Sequence, residues 1–392
     1  MTPFVIPIEL LEDIVDAVKH QTEHTPTLNN LSLTCRGLLY RSRSYTFRVV
    51  KIRNASRLNL LIELLQANPN LSCFIRILEV HEEVPRTLFT RLLIGRWPNL
   101  LYLQLYSDAV LYDPQFATSL RAGFSSIKIL SLSVDLPADK LLQVLECLPN
   151  LRCLRMDNAT CYGPIGIPTI QMCLPTLACL QYIVQSSESA LEGWRYISGW
   201  ILESPSSLMH LKVLQLSIHD NWNDREADLP SVSALLEACG SSLEELWLSC
   251  RHNRREESPA PDLSVLGSIS LCHNIDLRRL SLQLDFHGQR NMTGLFECLS
   301  SVKSPVLEHL HIQIDVVSTV GGVGLDLWKE LDDMLNGPHF PSLTSVNIRH
   351  FSRDEETLRS YLPSLQSRGI LTIDQVHETP VNRWIRLNGG SK

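Results

Sequence analysis

His309, His311 and Asp315 stand at alternating positions of HLHIQIDV, so in an extended chain all three side chains point one way, and imidazole with carboxylate is a ligand set for a divalent metal. No further His or Cys is placed beside them by the sequence, and polar strand positions need no metal, so neither a metal nor a cofactor is expected. The glycine-rich VGGVGLD around Gly321 lacks the Lys and Ser or Thr of a phosphate loop and the GxGxxG spacing of a dinucleotide turn. No GxSxG, HExxH or QAC-type motif occurs, and the acid pairs Asp332 with Asp333 and Glu355 with Glu356 read as solvated helix faces. The expectation is a chain that is not an enzyme. Trp247 is different. In LEELWL it falls between two leucines, on the opposite face of a strand, where a bare indole is costly and belongs to the residue types that dominate binding hot spots. Burial under the insertion RHNRREESPAPD that follows is the alternative, and the sequence leaves the two open.

The surrounding composition narrows the class. A chain of 392 residues, 44% hydrophobic and 20% charged, can hold one large domain or two to three ordinary ones. A net charge of -7 argues against general attraction to nucleic acid or anionic membranes, and the basic run RHNRREE is balanced at once by acids. Eleven cysteines, without a CxxC pair and often inside apolar runs such as LLQVLECLPNLRCLRM, fit a reducing compartment, cytoplasmic or nuclear. The start carries no signal-peptide pattern, and no apolar run reaches the 18 or so residues of a membrane span.

These residues are positioned by a repeat. The pattern of a large apolar residue, two others, a second large apolar residue, one other and a third recurs as IRILEV from Ile75, LLYLQL from Leu100, IKILSL from Ile127, LRCLRM from Leu151 and LACLQY from Leu177. It continues as LKVLQL from Leu211, LEELWL from Leu243, LRRLSL from Leu277, LEHLHI from Leu307 and LTSVNI from Leu343. Each copy is a short alternating strand, followed by segments of helical period such as SVSALLEACG and DLWKELDDMLNG. Between helix and next strand a stop recurs, as PNL at Pro69, Pro98 and Pro149, PTL at Pro175 and PSL at Pro341, with Gly240 in that place before Leu243. Proline cannot continue a helix and pushes its predecessor to extended geometry. Such units bury their apolar faces only by stacking. Over residues 49–374 the array resembles a leucine-rich repeat horseshoe, which implies an α/β fold with parallel strands on the concave face and helices on the convex one.

Residues 1–48 lie outside the repeat. Pro7 and the acids Glu9, Glu12 and Asp13 suit the start of a helix. Leu11, Val15 and Val18 form one apolar stripe and Leu10, Ile14 and Ala17 a second, more than one core needs. After the polar loop KHQTEHTP, Leu28, Leu31 and Cys35 share a face that Leu38 and Leu39 continue. The arrangement Ile-Pro-x-Glu-Leu-Leu-x-x-Ile, loop, Leu-Ser-Leu-Thr-Cys-Arg-x-Leu resembles the F-box, with Ile6, Pro7, Leu10, Leu11, Ile14, Leu31, Leu33, Cys35 and Leu38 as its anchors. The order of F-box and then repeats is similar to that of fungal F-box proteins. The resemblance implies an adaptor of a Skp, cullin and F-box ubiquitin ligase: residues 1–48 on the Skp adaptor, the repeats on a protein substrate, and 375–392 as a tail. The alternative is a repeat scaffold for protein interactions, with a degenerate F-box as an N-terminal cap.

If the motif's large apolar residues face the core, the residues between them form a ladder on the other face. Its candidate substrate contacts are Tyr102, Tyr106, Arg155, Trp247, Arg279, Asp285, His309, His311 and Arg349, with Trp247 as anchor and most of the rest simply the wet face of a sheet.

Overall fold

The computed structural model describes residues 8–18, 24–81, 97–106, 116–157, 159, 161–162, 175–183, 188–203, 208–219, 229–251, 264–286, 292–316, 325–350, 355–373, 379, 381–383 and 385. The chain is mixed α/β and separates into two compact units, residues 1–134 with 143–150, and 135–142 with 151–392.

The first unit opens with α1 (Ile8–Val18), α2 (His24–Thr34) and α3 (Arg36–Thr46). Val15, Leu28 and Leu38 form their core, with Leu11, Val18, Leu31 and Tyr45 packed on it. Asp16 of α1 accepts from Arg41 Nε at 3.0 Å and Nη2 at 2.9 Å, and from the Tyr45 hydroxyl at 2.8 Å, which ties α1 to α3 by charge-assisted bonds. The two stripes of α1 therefore separate, Leu11, Val15 and Val18 inward and Leu10, Ile14 and Ala17 outward. Two local expectations are corrected. The helix α2 begins at His24, inside the stretch read as loop, and the face read as continuous through Cys35 is broken there, because Cys35 takes extended backbone as the N-cap of α3.

After these helices come β1 (Val49–Ile52), α4 (Ala55–Ala67), β2 (Ile77–Val80), β3 (Tyr102–Leu105), α5 (Phe116–Gly123) and β4 (Ile129–Leu132). Asn54 caps α4 by accepting from the Arg57 amide at 3.0 Å. The four strands are parallel and pair in chain order, so Val50, Leu78, Leu103 and Leu130 form one row and Ile52, Val80, Leu105 and Leu132 the next.

The helix α6 (Ala138–Glu146) precedes the second unit's strands, β5 (Cys153–Asp157), β6 (Cys179–Ile183), β7 (Val213–His219), β8 (Glu245–Arg251), β9 (Arg279–Phe286), β10 (His309–Val316), β11 (Ser345–His350) and β12 (Leu371–Ile373). They too are parallel and in chain order, each pair spanned by a crossover as parallel pairing requires. The crossovers include α7 (Glu188–Glu203), α8 (Leu229–Cys239), α9 (Ser264–Gly267), α10 (Thr293–Ser301), α11 (Leu325–Asn336), α12 (Glu355–Tyr361) and α13 (Pro363–Ser367). Leu154, Leu180, Leu214, Leu246, Leu280, Leu310, Val346 and Leu371 run as one unbroken row under these helices. Every motif position of the ten copies is at most 3% exposed, and each such side chain contributes roughly 1.5–3 kcal/mol by burial.

The stops between helix and strand do more than end helices. Asn99 donates to the Cys73 carbonyl at 2.7 Å and Asn150 to that of Ser125 at 2.8 Å, one repeat earlier in each case. The Ser242 hydroxyl bonds the Leu208 and Leu211 carbonyls, and buried Asn274 donates to those of Leu236 and Gly240. Gly240, with φ of +49°, occupies a backbone region that side chains disfavour, which is why glycine replaces proline in that stop. The reading of the acid pairs as solvated faces holds at Asp333, Glu355 and Glu356, which are exposed, and fails at Asp332 of α11. Asp332 is 2% exposed and caps α13, accepting from the Ser364 amide at 2.8 Å and the Leu365 amide at 3.0 Å.

Candidate functional site

In the second unit the face opposite the leucine rows is built of two further rows. Glu245, Arg279, His309 and Ser345 stand side by side on β8 to β11, and one pleat along come Arg155, Gln181, Gln215, Trp247, Ser281, His311 and Asn347. Neighbouring strands lie about 4.8 Å apart, so in-register side chains of this size screen one another from water. Gln181, Gln215, Ser249, Gln283 and Asn347 are all buried, and Ser249 donates to Gln283 at 3.2 Å. The expectation of a wet face is corrected here, and of the two readings that the sequence leaves open for Trp247, the exposed one is set aside. The indole is only 8% exposed, and it leans toward the His311 ring with centroids 6.0 Å apart.

A cleft of about 310 Å³ opens on this face, lined by Trp247, Arg279, Ser281, His309, His311, Ser345, Asn347 and Arg383 among others. Glu245 anchors its charged edge, accepting from Arg279 Nη1 on one carboxylate oxygen at 2.9 Å and from Arg383 Nη1 on the other at 3.2 Å. Arg383 arrives from the segment expected as a tail. Within it Val381 is fully buried, the Arg383 amide donates to the Thr379 carbonyl at 2.9 Å, and Asn382 accepts from Arg155 at 3.3 Å. Burial lowers the His309 pKa from its ordinary 6.5, and the positive field of Arg279 lowers it further, with Arg383 adding and Glu308 and Glu245 opposing. His309 is thus held neutral near pH 7.

Of the residues singled out by sequence, the cleft brings together Trp247, Arg279, His309 and His311. Tyr102 and Tyr106 belong to the first unit and form a chain of their own, the Tyr102 hydroxyl donating to Gln104 at 2.9 Å and Gln104 donating to the Tyr106 hydroxyl at 2.6 Å. Arg155 pairs with Asp157 at 3.0 Å, and Asp157 also accepts from Gln181. Arg349 is half-buried, beside Gln313 in the next row, while the Asp285 side chain lies outside the described residues. The ladder read from the sequence includes Glu245 and Asn347 without choosing them as contacts, and it misses Ser281, Ser345 and Arg383 as parts of this site. Ser281 and Ser345 fall at the between-leucine positions of their repeats and were findable by register; Arg383, 138 residues from Glu245, carries no such signal.

At the N-terminus, Ile6 and Pro7 lie outside the described residues. Leu10 is 54%, Ile14 47% and Leu33 84% exposed, and Cys35 is exposed. Leu11 and Leu31 pack on the three-helix core, and Leu38 at 6% is part of it, which corrects its placement on a partner face: a core side chain has no surface to offer.

No family model matches this chain, and no curated protein matches it. Among solved structures it is similar to a D-isomer specific 2-hydroxyacid dehydrogenase family protein from Klebsiella pneumoniae 342, at 13% identity and a TM-score of 0.19, over 83% of this chain and 85% of that one. Two expectations are corrected on this finding. The structure returned is an enzyme and not a ligase adaptor, so the reading as a ubiquitin-ligase adaptor or repeat scaffold is withdrawn, and so is the statement that the chain is not an enzyme. A likeness of that size lends this chain neither a dehydrogenase fold nor its activity.

Proposed function

We propose that the chain is a ligand-binding protein whose site is the cleft beside Trp247. The observation that supports this most is convergence: one indole, two imidazoles, two guanidiniums and three small polar side chains turn into a single concavity. The test is fluorine NMR on the full chain labelled with 5-fluorotryptophan, with the Trp247 signal assigned by its loss in Trp247→Phe. Fragments that move that signal first and saturably support the reading. A diverse fragment set that moves other tryptophan signals and leaves Trp247 still removes it.

We further propose that the ladder is a leucine-rich repeat solenoid and that residues 1–48 are an F-box-like unit. The in-register aliphatic rows support the first, and the outward stripe of Leu10 and Ile14 with exposed Leu33 supports a protein partner for the second. The Skp adaptor is the partner that the resemblance names. Co-purification of that adaptor with the full chain, lost on Leu10→Glu with Ile14→Glu but kept on Asn382→Ala, is the expected result, and no retention by the unaltered chain rejects it. No described helix is long and apolar enough to cross a membrane. The nine described cysteines are free, which fits a cytoplasmic or nuclear setting.

A further inference from the structure

We infer that the ligand of this cleft is a flat aromatic ring with a small neutral polar edge, seated over Ser281 against the Trp247 indole. The inference rests on the cleft being the binding site. The lining groups set the shape. Leu246, Leu280 and Leu310 border the cleft, but each is 1% exposed and stands in the core row, so strand alternation turns its side chain to the other face. Every other described lining residue is either small and polar or planar: Trp247, His309, His311, Arg279 and Arg383 each end in a flat π-system. A guanidinium stacks on an aromatic face much as a ring does. Among the described residues the cleft thus offers its apolar contact on flat surfaces and none from an aliphatic side chain.

On its β7 side the indole stands in register with Gln215, itself 4% exposed, and on its β9 side with Ser281. A serine is too short to cover an indole, and His311 of β10 comes only to 6.0 Å between ring centroids, with the planes 47° apart. A ligand ring fills the step that Ser281 leaves, in the offset or edge-on contact that aromatic pairs prefer at about 4.5–7 Å between centroids. A puckered saturated ring is thicker and touches a flat wall through a few hydrogens only. The volume of about 310 Å³ holds one ring with a short substituent. Half-buried Ser281, Ser345 and His309 give that substituent its partners. A hydroxyl and the neutral His309 imidazole each both donate and accept, which suits a carboxamide or a lactam.

Benzamide and cyclohexanecarboxamide, titrated separately into the full chain labelled with 5-fluorotryptophan, test this. Both are neutral and carry the same amide on a six-membered carbon ring, and only the first ring is flat. Apolar burial alone favours the saturated ring, which has more C–H surface, so a preference for benzamide reports shape. The expected result is that benzamide half-saturates the shift of the Trp247 signal about fivefold below cyclohexanecarboxamide, the size of one well-placed aromatic contact. His311→Leu, which keeps bulk and removes the ring, should bring that ratio below about twofold, and His311→Phe should keep it. Should His311→Leu fail to fold, His309→Leu makes the same test on the second imidazole. Equal half-saturation by the two amides, or a preference for the saturated one, overturns the flat ring while leaving the cleft as a binding site, as does a preference unchanged in both leucine variants. If neither amide moves the Trp247 signal, the flat-ring inference fails, and the wider fragment set decides the cleft separately.

Discussion

Replacing Glu245 by Gln should loosen the C-terminal segment from the sheet face. The carboxylate holds Arg383 at 3.2 Å with side-chain exposures of 22% and 13%, a pair between the surface case, worth about 0–1 kcal/mol, and the buried one, where losing a partner costs about 3–5 kcal/mol. Roughly 1–2 kcal/mol is therefore at stake for the Arg383 contact, which corresponds to about a 5–30-fold rise in the local opening constant. Arg279, whose side chain is 38% exposed, is better screened and adds less. The reporter is internal, because the Arg383 amide is bonded to the Thr379 carbonyl. Hydrogen exchange of a peptide covering residues 379–385, compared at one pH, should quicken by that factor in Glu245→Gln while peptides from the leucine rows stay unchanged. Buried Val381 keeps the segment from leaving altogether, since its burial alone is worth about 1.5–3 kcal/mol. A change below twofold in a folded variant would refute the argument. So would an equal change in Asn382→Ala, which removes only the exposed 3.3 Å contact to Arg155.

Asp332→Ala should cost about 2–4 kcal/mol of second-unit stability in urea melts, because two amides at the start of α13 lose a buried charged acceptor, and a cost under 0.5 kcal/mol would contradict the cap. Leu38→Ala should destabilise the three-helix unit by about 2–5 kcal/mol whereas Leu33→Ala, at a position 84% exposed, should change it by less than about 0.5 kcal/mol; equal effects would mean that the core is misassigned. His309 should titrate below 6.5 by NMR, and Arg383→Gln should move it upward toward that value. A group with a depressed folded pKa, if a base, binds fewer protons folded than unfolded, so its contribution is whole above about 6.5 and is lost as pH falls below it; a His309 that titrates above 6.5 would reverse the sign.

What was legible in the sequence was the side that packs. The spacing of Leu243, Leu246 and Leu248, repeated along the chain, states which side chains lie under the helices, because a strand's period of two and a large apolar residue leave one arrangement. Two outer strands escaped as copies, β1 because Phe47, Val50 and Ile52 carry the pattern without a leucine, and β12 because only Leu371 and Ile373 remain of it. The other face was misread for a physical reason. Alternation tells which residues point away from the core, but not how far their neighbours on adjacent strands shield them, and Gln215 at 4% or Asn347 at 1% exposed is as hidden as a leucine. Asp332 and Arg383 were beyond reach for a further reason, since each owes its role to a partner set by tertiary packing, 32 and 138 residues away.

The cleft itself follows from a mismatch of sizes along one row. Trp247 and His311 sit on β8 and β10, two strands and so about 9.6 Å apart at the backbone, yet their rings come within 6.0 Å between centroids because both lean over Ser281 of β9. Where the same face carries Ser249 beside Gln283, the side chains meet and close it. Ser281, half-buried and small, is thus the position that keeps the space open, and Ser281→Leu should fill it. The added methyl groups would press on the indole and imidazole at an overpacking cost of about 1–3 kcal/mol, well short of unfolding a unit whose leucine rows are untouched. Fragment shifts at Trp247 should then disappear although the fluorine signal remains that of a folded chain. Undiminished fragment binding in Ser281→Leu would place the ligand elsewhere and make the gap over Ser281 a packing accident.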